Sequence, residues 1–175
     1  MPKQKQKFTG FDIEEFIEFR KKLERAQKKD FKEQCILWVE MMGLEFLDLV
    51  QQQIIANGTV DTRRLLKSFT RGSSDNIWRT QYGGLQIEIG TDVPYAVYVN
   101  DGHWTTPTGV AQRWVPGRWV GNKFIYEPGA KTGMLLKRKF VEGSHYWEQA
   151  LAIYERMFDK KVDEQLQIWI NRYFG

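Results

Sequence analysis

The chain is short of the residues that most often carry chemistry. It holds one cysteine, Cys35, and two histidines, His103 and His145. A single cysteine excludes an intrachain disulfide, and no Cys/His spacing suits a structural zinc. Cys35 sits on a strongly apolar helical stretch, where a buried, inert thiol is the expected state. No phosphate-binding glycine loop of either common form occurs. No apolar run approaches the roughly 18 residues that a membrane span needs. The basic start, MPKQKQKF, is followed by no apolar segment of the secretory kind. These absences point away from redox, metal, nucleotide and membrane functions, and no cofactor is expected.

What the chain has instead is aromatic side chains and unevenly spread charge. Seven Trp, seven Tyr and eleven Phe occur in 175 residues, more than one core needs, and aromatics are enriched at interfaces. Net charge is +4 overall. Residues 34–60 carry three acids and no base, whereas residues 61–140 carry twelve bases and six acids. A basic middle attracts an acidic protein surface or a phosphate backbone.

Hydrophobic periodicity divides the chain into a flexible basic tail, residues 1–10, and one domain, residues 11–175. Ile13, Phe16, Ile17 and Leu23 predict a first helix opening at Asp12. A wider stripe, from Cys35 and Trp38 through Phe46, Val50 and Ile54, predicts a central helix over Phe31–Ala56, closed by Asn57-Gly58. In VDTRRLLKSF, Asp61 or Thr62 is placed to cap a short helix with Leu65, Leu66 and Phe69 inward. IWRTQY and LQIEIGT flank Gly83-Gly84 and read as a β-hairpin. YAVYVN, after Pro94, reads as a third strand, with Tyr95, Val97 and Val99 on one face. Residues 102–133 form a long Trp/Gly/Pro-rich loop or hairpin excursion, turning at Pro116-Gly117 or at Gly121-Asn122. LLKRKF, 135–140, reads as a solvated charge run. A long helix from Tyr146 to Tyr173 closes the chain, its stripe running from Trp147 and Leu151 to Leu166 and Trp169. Strands grouped between helices indicate an α+β fold, a small antiparallel sheet packed on the long N- and C-terminal helices.

Three kinds of site compete. Asp101 and His103 lie two apart in an extended reading, but a hydrolase needs a nucleophile or metal beside them, and none has a recognisable spacing. Arg113, Arg118 and Lys123 interleave with Trp114, Trp119 and Phe124. Arginine with aromatics suits stacking on single-stranded nucleic acid. It equally suits a protein–protein hot spot, and with no nucleic-acid motif around it the protein interface is favoured.

Two stretches carry a family resemblance. Val60, Asp61, Thr62, Leu65 and Ser68 match one motif; Gly90, Thr91, Tyr95, Ala96, Tyr98, Val99 and Gly102 match a second, in the same order and at similar spacing. The chain resembles the gene-product-ten-like tail-component family of tailed-bacteriophage neck proteins. Arg63 departs from its usual Gly, and Asn100-Asp101 stands where Glu-x is usual. The long excursion is similar to the branch found in contractile-tailed phages, defective prophages and phage-tail-like bacteriocins. Neither motif is catalytic in that family. The resemblance implies a non-enzymatic structural protein of the virion neck or tail, assembled in the bacterial cytoplasm. It implies a homo-oligomeric ring, hexameric in preference to dodecameric, through which DNA passes. The partners it implies are a head connector, a tail terminator, and tube or sheath proteins.

Overall fold

The computed structural model describes residues 13–25, 31–59 and 63–174. The expected flexible tail and the motif residues Val60, Asp61 and Thr62, including both expected caps, lie outside them.

The fold is α+β. Helices α1 (Ile13–Arg25), α2 (Phe31–Ala56) and α3 (Arg64–Ser68) precede a β-hairpin, β1 (Asn76–Gln81) and β2 (Gln86–Thr91). Then follow α4 (Ala96–Asp101), β3 (Gly102–Trp104), β4 (Gln112–Val120), β5 (Lys123–Tyr126), β6 (Gly133–Lys137), β7 (Phe140–Glu142) and α5 (Tyr146–Phe174). The strands make three separate antiparallel sheets: β1–β2, β3–β7, and β5–β4–β6.

The core forms where α2, α3, α4 and the start of α5 converge. Phe46, Leu47, Val50 and Ile54 of α2 meet Leu65, Phe69, Val93, Ala96, Tyr146 and Ala150. Phe46 packs edge-on against Trp147 and Tyr154, at 5.0 and 5.3 Å between centroids. The hairpin lies on α2 at Gly43, where a Cβ would come within 2.8 Å of the Trp78 ring. Arg71 lies over the face of that indole at 4.7 Å and pairs with Glu40. α2 ends as expected, with Gly58 left-handed (φ 65°) and the Gly58 and Thr59 amides donating to Ile55 and Ile54.

Three sequence expectations are corrected, and one open alternative is resolved. YAVYVN is a helix, not a strand. Pro94 favours an opening helical turn, and the Ala96 and Val99 amides donate to the carbonyls of Val93 and Tyr95. Helical spacing buries Val93, Ala96 and Asn100 together, whereas alternation would have buried Val97, which is 62% exposed. Of the two turns considered for the excursion, Gly121-Asn122 is used; Pro116-Gly117 lies inside β4. LLKRKF is not a bare charge run: it supplies the end of β6 and the start of β7. Finally, the α5 stripe is core only in its first turns. Met157, Phe158 and Leu166 stay exposed, as do Leu37 and Met41 of α2.

Candidate functional site

The motif residues among those described, from Leu65 and Ser68 to Thr91 and Ala96, meet in the body. Thr91 Oγ1 donates to Ser68 Oγ at 2.7 Å, and Ser68 Oγ donates to the Leu65 carbonyl. Thr91 Oγ1 also accepts from the Val93 amide at 3.1 Å, which fixes the turn into α4. Leu65 and Ala96 are buried, Tyr95 packs against the core, and Gly90 lies beside Ile77. Tyr98 is the exception, 58% exposed on the outer face of α4.

α4 leads into a knot at the foot of the excursion. Asn100 is buried, and its Oδ1 accepts from the Trp147 amide at 3.0 Å. A side chain from α4 therefore caps the start of α5. Its Nδ2 donates to Glu148 and to Asp101, at 2.9 and 2.7 Å. Gly102 (φ 84°) and Gly143 pass so close that a Cβ on either would strike the opposing backbone. Sequence reasoning missed Asn100, because a cap supplied from 47 residues away leaves no local signal. The same knot accounts for the hydrolase candidates. Asp101 accepts from Asn100, and His103 stacks edge-on with Tyr98 at 5.8 Å, its Nδ1 3.4 Å from the Tyr98 carbonyl. No group of His, Cys, Asp and Glu among the described residues is arranged to hold a metal. Cys35 is half-buried, and burial raises its thiol pKa, which disfavours the reactive thiolate.

Beyond the knot, residues 102–142 project as a β-arm. The Thr105 amide and the Lys139 carbonyl continue the β3–β7 ladder, and Arg138 lies 4.5 Å over the Trp104 ring. β4 is the arm's spine: its first half pairs with β6 and its second half with β5. These three strands pack on one another and not appreciably on the helices. Two glycines admit aromatic rings, Trp114 over Gly133 and Phe124 over Gly117.

The predicted interface residues all lie on this arm, but not on one surface. Trp119 and Phe124 are cross-strand partners with ring centroids 5.4 Å apart. Trp114, five residues from Trp119, falls on the opposite face by strand alternation, beside its partner Leu135. Trp114, Trp119, Leu135 and Tyr126 are all more than half exposed. Arg118 Nε donates to Glu127 at 2.6 Å, which raises the guanidinium pKa further, and Arg113 is exposed near the arm's base. The arm holds seven Lys/Arg and two Glu, a net of +5, against nine acids and five bases, a net of −4, in α2 and α5. Part of that acidic charge is spent internally, since Glu40 pairs with Arg71 and Glu45 with Lys161.

A second surface lies in the body. An apolar groove of about 380 Å³ runs between α2, β2 and α5, lined by Val39, Met42, Ile87, Leu151, Tyr154 and Phe158 among others. No helix among the described residues is long and apolar enough to cross a membrane.

Comparison with known proteins agrees with these motifs. The family model described as "Bacteriophage HK97-gp10, putative tail-component" matches residues 17–102, which ends where the arm begins. Phage-like element PBSX protein XkdI of Bacillus subtilis (strain 168) is 46% identical over 150 residues, 86% of this chain and 92% of that protein. YqbI of the same strain is 47% identical over 171 residues, 96% of this chain and 99% of that protein, so that match spans the stretch that forms the arm here. No solved structure matches significantly. The chain belongs to the bacteriophage HK97-gp10-like tail-component family.

Proposed function

We propose that this protein is a non-enzymatic structural subunit of the phage neck or tail-completion apparatus, which assembles with copies of itself into a ring, sixfold in preference to twelvefold. In that ring it meets other neck and tail proteins, whether head connector, tail terminator, tube or sheath. The observation that carries the reading is the arm, a β-structure with exposed aromatics on both faces and, among the described residues, no helix covering it. A closed ring needs two different complementary patches on each subunit. The basic arm and the more acidic helical body supply a pair of opposite sign. A nucleic-acid role ranks second. Arg118 is already committed to Glu127, and Trp114 and Trp119 on opposite faces form no continuous stacking track.

Native mass spectrometry of the purified protein tests the reading. The wild type is expected to give one discrete oligomer, and Arg113→Glu with Arg118→Glu is expected to reduce it to monomers. A wild type that stays monomeric and never enters particles overturns the ring. Unchanged assembly of the double variant overturns the part played by the arm's charge.

A further inference from the structure

We propose that the groove between α2, β2 and α5 is the receptor for the arm tip of a second copy of this chain, so that the contact is arm-into-groove and not arm-to-arm. The proposal rests on the ring reading above and names the surface that the arm meets.

Three features select that occupant. The first is chemistry at both ends. The groove is apolar, with Met42, Ile87, Leu151 and Phe158 along its walls, and about 380 Å³ lies open in it. The arm tip is apolar: Trp119 and Val120, 58% and 50% exposed, adjoin the Gly121-Asn122 turn, and Phe124 packs edge-on against Trp119 at 5.4 Å. A rigid aromatic pair entering an apolar pocket is the usual form of an interface anchor.

The second is charge. On α5 the groove stripe of Leu151, Tyr154 and Phe158 is flanked by Glu148, Glu155 and Asp159, all exposed and spaced seven and four residues apart. That spacing places the three carboxylates along one side of the helix, next to the stripe. The approaching arm has a net charge of +5. Opposite signs steer the encounter and oppose both arm-to-arm and groove-to-groove pairing, in which like charges meet.

The third is the arm's own construction. Each half of β4 has a single partner strand, and a two-stranded pair with no described helix packed on it is marginally stable in water; both faces of the arm also carry exposed tryptophan. Arm and groove also lie on different parts of the subunit, one beyond the Gly102–Gly143 crossing and the other on the helical body. Each copy therefore offers both halves of the contact, and the contact propagates head to tail until it closes.

Complementation in mixtures tests this. Leu151→Lys with Phe158→Lys disables the groove at two side chains that are already 39% and 40% exposed. Trp119→Asp disables the arm. Thermal unfolding of each variant checks that the body still folds. Each variant alone is expected to be monomeric by native mass spectrometry, with the concentration needed for assembly raised by about thirtyfold or more, as loss of an aromatic anchor typically does. Mixed, they are expected to form a heterodimer and nothing larger, because such a pair holds one intact arm–groove contact and one doubly broken contact. A covalent check uses the Cys35→Ser background. Asn122→Cys, at the exposed turn beside the anchor, mixed with Leu151→Cys is expected to give a disulfide-linked pair under oxidation, and neither protein alone is expected to do so. Groove variants that assemble like the wild type, or no cross-link between copies in wild-type-like oligomers, overturn the groove assignment while the ring stands. A wild type that stays monomeric at every concentration and outside particles overturns both.

Discussion

The helical body and the β-arm treat their aromatic residues in opposite ways. In the body Phe69 and Tyr146 are 1% and 3% exposed, and Phe46 lies locked between Trp147 and Tyr154. In the arm Trp114 and Trp119 are 56% and 58% exposed, each resting on a glycine or one other ring. The family match runs over residues 17–102, the body without α5, whereas the match to YqbI spans 96% of the chain and so takes in both α5 and the arm. The body buries its aromatics within one core, whereas the arm leaves its tryptophans open to solvent.

The largest effect separates the two regions. Phe69→Ala opens a cavity in a site with almost no solvent contact, and is expected to cost about 3–5 kcal/mol in urea unfolding. Trp119→Ala removes a still larger aromatic from the arm, and is expected to cost less than about 1 kcal/mol in the monomer while assembly fails. Similar destabilisation by both substitutions would make the arm part of the cooperative core and remove the contrast.

The next effect falls on the junction. Asn100 is contributed by α4, stands at the foot of the arm and caps α5. Asn100→Ala leaves the Trp147 amide without its acceptor and removes the donor facing Glu148. A loss of about 1–2 kcal/mol is expected, the usual worth of an N-cap. Limited proteolysis should then show faster cutting between 102 and 142, since the knot orients the arm. If stability falls and arm cleavage is unchanged, Asn100 belongs to the body alone.

How much was legible in the sequence follows the range of the interactions. α2 and α5 were readable to within a residue or so, because each carries a long periodic stripe and α2 ends at Asn57-Gly58. The β1–β2 hairpin was readable from strict alternation around two glycines. Residues 96–101 misled, because valines and tyrosines favour strands by composition. The deciding fact is the burial of Val93, Ala96 and Asn100 at helical spacing, and that is tertiary. The candidate interface residues fall on one β-structure, but their split between two faces depends on register. The groove was not legible at all, since its walls come from three elements far apart in sequence.

The smallest effect sharpens the contrast from the body's side. Arg63 precedes α3 with φ 60° and ψ 2°, in the left-handed region, and makes no side-chain cap. The family motif that the chain resembles carries glycine at this position, and glycine adopts that conformation without a Cβ penalty. Arg63→Gly removes the strain but increases the freedom of the unfolded chain, and the two effects oppose each other. The net expectation is a gain of about 0.5 kcal/mol in urea unfolding, with oligomer mass and assembly concentration unchanged, since Arg63 lies on neither the arm nor the groove. A change in assembly without a change in stability would mean that the α2–α3 corner is itself a contact surface, and the division into a self-sufficient body and a partner-seeking arm would need a third region.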